Sequence, residues 1–426
     1  MQPPLLKPLY VAILGMLAWQ AQAAAPANAF TGLGFLGTAN YSWANAVSAD
    51  GSVVVGVSTN SSVHSEAFRW TGGVMTGLGF LGTGNFSLAN AVSADGSVVV
   101  GTSAYNSSNS GGSEAFRWSG GVMTGLGFLG TGNSSNAWAV SVDGSVVAGF
   151  SAYNSSSNVE AFRWTGGVIT GLGFLGTGNY SYVYAVSADG SVVVGESAYN
   201  SSNNYEAFRW TGGVMTGLGF LGTGTASYAN AVSADGSVVV GYSGYDSSGN
   251  QEAFRWAGGT MTGLGFLGTG NNSWAYAMSA DGSVVVGDST NSSGNWEAFR
   301  WTQATHMQSI NQWLAGAGVA APAGWQLVSA YGVSANGTVV TGDGTDPNGN
   351  SEAWLARVSS QGSGLLTNIN AFNSSLLEAG SLGIQAGADL PNLTLFGAHH
   401  RSILDNGLIR SANNNGCGWA TGDVAS

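Results

Sequence analysis

The chain has 426 residues, 22 of them acidic and 10 basic, with a net charge of -12, 69 glycines and aromatic side chains at 11%. It is too apolar and aromatic for a disordered chain, and it carries Gly, Ser, Asn and Val where a helical bundle needs Ala, Glu, Lys and Leu, so β-structure is expected. The net charge and the lone lysine, Lys7, leave no basic patch to neutralise phosphates, which makes nucleic acid and anionic membrane surfaces poor partners, and the lone cysteine, Cys417, excludes an internal disulfide.

Residues 1–23 read as a signal peptide: Lys7 precedes an apolar run over 9–19, and Ala21-Gln22-Ala23 supplies the small-x-small pattern of a cleavage site. The run is too short for a good transmembrane helix, so export is expected.

From 24 to 358 one unit of about 46 residues recurs. Its EAFRW segment begins at Glu66, Glu114, Glu160, Glu206, Glu252 and Glu297, with a degenerate copy at Glu352. A turn dipeptide runs in step, as Asp50, Asp95, Asp143, Asp189, Asp235 and Asp281 each precede glycine and Asn336-Gly337 is the seventh copy. Within a unit, β-prone runs flank Asp50-Gly51 and again Gly72-Gly73, which reads as two hairpins with two-residue connections. Tight turns demand antiparallel neighbours and have no place in a parallel β-helix. Four antiparallel strands repeated seven times predict an all-β, seven-bladed β-propeller.

The ends of the array predict closure. The segment 30–35 copies the fourth strand with no blade before it, while the unit ending at Val358 lacks a fourth strand, so the N-terminal piece is expected to complete the last blade and remove its open edge. Between the sixth and seventh units the pattern breaks, and 307–314 reads as a fourth strand followed by a short helix.

The units AVSADGSVVVG and EAFRWTGGVMTGLG and the ending MQSINQWL resemble the extracellular HAF repeats of bacterial proteins, over residues 30–358. The resemblance implies an exported repeat protein and specifies no chemistry. A Ser/Gly-rich linker and connecting segment follows over 359–394. The stretch from 395 on, with Gly397-Ala398-His399-His400-Arg401 and Gly416-Cys417-Gly418-Trp419, is similar to the start of a bacterial autotransporter translocator. The sequence ends at Ser426, short of the eight or more strands of about 9–11 residues that a barrel needs. The expectation is therefore a passenger displayed at the cell surface if a full translocator follows, and periplasmic for the chain as given.

Catalytic groups occur once, whereas scaffold groups occur once per repeat. Thirteen of the 22 acidic residues are the repeated turn aspartates and strand glutamates, and six of the ten basic residues are Arg69, Arg117, Arg163, Arg209, Arg255 and Arg300. The aspartates are expected to shape their turns, and Glu and Arg to satisfy each other or backbone groups. The pattern G-x-G-x-x-G at Gly32, Gly77, Gly125, Gly171, Gly217 and Gly263 lacks the single strand-to-helix context of a dinucleotide loop and is read as a strand-end bend, so no cofactor is expected. The four histidines and one cysteine make no zinc spacing, and the cluster Asp343, Asp346, Asn348, Asn350 and Glu352 reads as an Asx-rich turn, lacking the spacing of a calcium loop.

Divergence between copies points to a site. The loops 59–65, 104–113, 152–159, 198–205, 244–251 and 290–296 vary and lie on one rim, opposite the fixed turns. Aromatics gather there: Trp43, Tyr182, Tyr228 and Trp274 take one equivalent position, with Tyr41, Phe86, Trp138, Tyr184, Tyr276 and Tyr331 nearby. Interleaved Asn and Ser suit stacking on sugar rings and bonding to their hydroxyls, although the same rings would also cover the edges of blade cores. After each SVVVG or its variant the next residue varies, as Val57, Thr102, Phe150, Glu196, Tyr242, Asp288 and Asp343. Trp43, Tyr182, Tyr228, Trp274, Glu196, Tyr242 and Asp288 are thus the candidate ligand residues. The function expected is monomeric binding or adhesion towards a glycan or host-surface ligand, without catalysis. Its rivals are a bare structural spacer and a polysaccharide-acting enzyme using Glu196, Asp288 and Asp343, for which two carboxyls about 5–10 Å apart are needed.

Overall fold

The computed structural model describes residues 27–359, apart from 39, 106–111, 155–157 and 201–203. The expected signal peptide and the segments expected as linker and translocator start lie outside the described residues, but for Ser359.

Seven four-stranded antiparallel sheets form a seven-bladed β-propeller. The first blade takes Ser42–Val47, Val53–Thr59, Ser65–Thr71 and Val74–Gly77, from the axis outwards, and the next five repeat this order. The seventh takes Gln326–Val333, Val339–Thr345 and Ser351–Arg357, and its outer strand is Ala29–Gly32, antiparallel to Ser351–Arg357 with Ala29 opposite Arg357 and Gly32 opposite Trp354. The ring is closed by the two ends of the repeat array, as the orphan strand required.

The apolar residues of the second and third strands explain the stacking. SVVV and EAF alternate such that Val54 and Phe68 face one neighbouring blade while Val53, Val55 and Ala67 face the other. One such layer joins Leu33, Leu36, Val54 and Phe68 to Val339, Ala353 and Leu355 across the closure. The phenylalanine is fully buried in six blades, with Trp354 in its place in the seventh, and each contributes on the order of 2–3 kcal/mol through burial.

The polar repeat residues fasten each blade to the next through backbone groups at six of the seven junctions, the sixth-to-seventh excepted. Arg69 Nε donates to the Gly96 carbonyl in the second blade's turn at 3.1 Å, Arg117, Arg163, Arg209 and Arg255 do the same one blade on, and Arg357 closes the circle on the Gly51 carbonyl at 2.8 Å. Glu66 accepts from the Gly79 amide at 3.0 Å, and Glu352 accepts from that of Gly34 at 2.9 Å. The buried Ser87 hydroxyl accepts from the Ala67 amide and donates to the Gly79 carbonyl, a stitch that recurs at every junction except that of the sixth and seventh blades and ends in Ser42 with Ala353 and Gly34.

One turn differs from its expectation. Gly72-Gly73 is a two-residue connection between paired Thr71 and Val74, with φ of 57° and 87°, the positive values that such a hairpin needs. The Asp-Gly connection is longer: Ser48 pairs back to Val53, leaving four residues between. The Ser48 hydroxyl accepts the Val53 amide and donates to Asp50, which also accepts the Ser52 amide. These side chains replace the ladder bonds that a tighter turn would have used.

The residues that follow each first strand form a second fastening at the axis. Ala49 donates its amide to the Ala94 carbonyl, Ala94 to Val142, Val142 to Ala188, Ala188 to Ala234, Ala234 to Ala280, Ala280 to Ala335, and Ala335 back to Ala49, at 2.8 to 3.1 Å.

The sixth-to-seventh connection holds the strand His306–Ser309 and the helix Ile310–Gly316, close to expectation. Ser309 caps the helix in a reciprocal box with Gln312, and the helix buries Ile310, Trp313 and Leu314 against the seventh blade. Arg300 here lies over the Trp313 ring at 5.2 Å.

Candidate functional site

At the mouth opposite the amide ring, the axis opens into a cavity of about 660 Å³, which shares Val140 and Val186 with a second hollow of about 180 Å³ at the amide ring. A β-bulge builds its wall. In the first blade Ala44 pairs with Gly56 and Ala46 with Val55, so Asn45 has no partner across the strand, and the extra residue is turned out of the ladder. The bulge brings backbone close enough that a Cβ on Gly56 would collide with the Trp43 carbonyl oxygen, which is why glycine stands at this point. The bulged residues of the seven blades are Asn45, Asn90, Trp138, Tyr184, Asn230, Tyr276 and Tyr331, and all seven line the cavity.

Amides and rings do different work at this position. Asn45, Asn90 and Asn230 each donate Nδ2 to an alanine carbonyl of the next blade's first strand, at 2.8 to 2.9 Å. Trp138 packs edge-on to Tyr184 at 5.6 Å, and Tyr276 meets Tyr331 at 4.9 Å.

Of the four aromatics expected to share an equivalent position, Trp43 lines the cavity and is 37% exposed. Its Nε1 donates to Ser351 of the seventh blade at 3.0 Å. Tyr182, Tyr228 and Trp274 sit farther out, partly buried, in an arc of contacts that crosses from Phe150 through Tyr182, Tyr205, Tyr228, Tyr242 and Trp274 to Trp296, with centroids 4.4 to 6.5 Å apart. The four therefore do not surround one axis together; the bulged residues do. The signal for that ring was present in the S-x-A-x-A-V pattern and its variants at 181–186, 273–278 and 328–333, whose second variable position is amide or aromatic in all seven blades.

The variable residues of the second strands stand behind this wall. Val57 and Tyr242 reach the cavity. Glu196, Asp288 and Asp343 occupy the same register position, opposite Tyr182, Trp274 and Ser329. Glu196 accepts from the Tyr184 hydroxyl at 3.0 Å, and Asp288 from Tyr276 at 3.3 Å and from Ser329 at 2.8 Å. Each of the three acids keeps one buried oxygen without a hydrogen-bond partner. Burial pushes Glu196 up to about 7 against the hydrogen bond from Tyr184. It pushes Asp288 up to about 7, with the Asp343 charge adding to it and Ser329 and Tyr276 opposing it, and it takes Asp343 to about 6. The arginines give no relief: six of those on the third strands are held by turn carbonyls at the other rim, and the seventh, Arg300, lies over the Trp313 ring.

This arrangement offers ring faces, amide groups and buried carboxyls able to change protonation near neutrality, as general acid–base groups do. Among the described residues no group of three or more His, Cys, Asp or Glu is placed to hold a metal. Asp346 accepts the amides of Asn348 and Asn350, both at 2.8 Å, so the expected Asx turn is formed.

No protein-family model matches the sequence, and no curated protein matches it. Solved structures do resemble its fold. An oligogalacturonate lyase in complex with manganese is 12% identical with a TM-score of 0.51, over 78% of this chain and 94% of that one. The β-propeller domain of the trilobed protease from Pyrococcus furiosus, described as having an open velcro topology, is 10% identical with a TM-score of 0.50, over 77% and 95%. TolB from Acinetobacter baumannii is 14% identical with a TM-score of 0.41; this chain is covered over 62% and spans 64% of that one. The expectation that catalysis is absent is corrected here. Propellers of this shape include that of an oligogalacturonate lyase and that of a protease.

Proposed function

We propose that the protein binds a glycan in the axial cavity, as the exported, surface-displayed passenger of an autotransporter-like protein built from HAF-type repeats. The observation that carries the binding reading is the wall of bulged residues, in which amides and aromatic rings share one position around one cavity. Sugar rings present apolar faces that stack on such side chains and hydroxyls that bond to amides. The leader-like segment 1–23 and the repeat resemblance support export.

Trp43→Ala with Trp138→Ala tests the binding. Both rings line the cavity and both are 37% exposed, so the double variant should keep its melting temperature within a few degrees while losing on the order of 1–3 kcal/mol of binding free energy. Glycan-array binding with thermal melting is the measurement; unchanged binding with a much lower melting temperature would make the rings edges of the core.

A second reading, an enzyme acting on polysaccharide, is favoured by one observation: Glu196, Asp288 and Asp343 are buried single-copy carboxyls at one register position, each with an oxygen that no group engages. Release of reducing ends or unsaturated products from a bound polysaccharide, abolished in Asp288→Asn, would select it over binding alone.

A further inference from the structure

The strongest unexplained chemistry lies where the sixth, seventh and first blades meet. Four rings, Tyr276, Tyr331, Trp43 and Tyr41, line the cavity there in sequence, with centroids 4.9, 6.4 and 5.7 Å apart. Two acids back them. Asp288 is 4% exposed, and the oxygen that Tyr276 and Ser329 do not engage, Oδ1, has no partner. Asp343 is 8% exposed, and its Oδ1 has no partner either. Its place in the strand is the one from which Val57 and Tyr242 front the cavity in other blades. A buried carboxylate oxygen without a donor is costly, and the site holds no arginine or lysine to supply one.

We infer that this sector recognises a protonated amine, and that the glycan of the proposed function is accordingly one with free amino groups. The amine class rests on the cage alone; its attachment to a sugar rests on the glycan reading above. An alkylammonium in the cavity is attracted to the faces of tyrosine and tryptophan, and to the negative charge of the two aspartates buried behind them. A hard divalent cation is less suited, because it takes six or more oxygen ligands and here rings occupy that space.

The chemistry couples binding to protonation. Asp288 faces Tyr276 on its own blade, Ser329, Tyr331 and Asp343 on the seventh, and Tyr242 from the fifth; Asp343 faces Tyr331 and Asp288, and Tyr41 from the first. None of these is a cation. The free site therefore holds protons that an arriving ammonium must displace, so binding weakens as pH falls from 8 to 5 and protons are released on binding.

Calorimetry on the whole chain with three probes tests this: a glucosamine tetramer, an N-acetylglucosamine tetramer, and spermidine. The expected result is at least tenfold tighter binding of the free-amine tetramer than of the acetylated one. Heats of spermidine binding, whose amines arrive already protonated, should depend on buffer ionisation in the sense of proton release, and the preference should be lost in Asp288→Asn/Asp343→Asn. Equal binding of both tetramers would leave the glycan reading standing and overturn the amine. Binding of spermidine with neither tetramer would keep the amine cage and remove the glycan. Binding of none would overturn the amine cage. If the double variant fails to fold, the wild-type preference and its proton release decide alone.

Discussion

A chain begun at residue 37 should melt on the order of 10–20 °C lower than the parent and aggregate as it does so. The missing segment supplies the outer strand of the seventh blade through Ala29–Gly32. It also packs Phe30 against Trp325 and Trp354 at 5.1 and 6.2 Å, and it buries Leu33 and Leu36 in the layer between the seventh and first blades. Burial of those three side chains contributes on the order of 5 kcal/mol. Its loss also frees Glu352 from the Gly34 amide and leaves Ser351–Arg357 as an open edge able to pair with other chains. Light scattering during a thermal ramp measures both effects; a truncated chain that melts with the parent and stays clear would mean that the closing strand is ornamental.

Stability should peak in mildly acidic solution. Glu196, Asp288 and Asp343 have folded-state values pushed up to about 7, 7 and 6. The folded protein therefore holds protons that the unfolded chain releases near pH 4, so the contribution of these acids is whole below about pH 4 and is lost as pH rises through 6 to 7. The turn aspartates act the other way. Serine hydroxyls and amides hold Asp95, Asp143 and Asp235 down to about 2, and their contribution is lost as pH falls from about 4 through 2. Melting temperature should therefore rise from pH 8 to pH 5, with the buried acids worth on the order of 2 kcal/mol each, and fall again below pH 4. Glu196→Gln with Asp288→Asn and Asp343→Asn should flatten the limb between pH 5 and 8 and leave the acid limb alone. A triple variant that keeps the upper slope would place the titrating groups elsewhere.

Repetition made much of this fold legible. Seven copies of the EAFRW and Asp-Gly segments show strand order and blade number without any partner sequence, and the orphan strand at 30–35 shows how the ring must close. What repetition hid was local geometry. The two-residue Asp-Gly hairpin failed because Ser48 turns its hydroxyl onto the Val53 amide, a competition between side chain and ladder that composition does not reveal. The axial wall was misjudged for a similar reason. Strict alternation treats residues 43 and 45 alike, whereas the bulge turns Asn45 and its equivalents to the axis and lets Trp43, Tyr182, Tyr228 and Trp274 lean over strand edges. Glu196, Asp288 and Asp343 stood out in the sequence as single-copy residues in a repeated place, but the burial that sets their protonation depends on rings contributed by other strands.

The amide circle from Ala49 round to Ala335 has a consequence for heredity as well as for stability. Seven donors meet seven acceptors with neither left over, so the molecule counts its own units. A gene of near-identical repeats can lose or gain one by unequal recombination. An array of six or eight would still contain every blade-to-blade contact in its linear run, yet its last amide would have to reach its first carbonyl at a different curvature. The copy number is thus checked at the centre of the molecule, at a point where no side chain takes part and no point substitution can compensate.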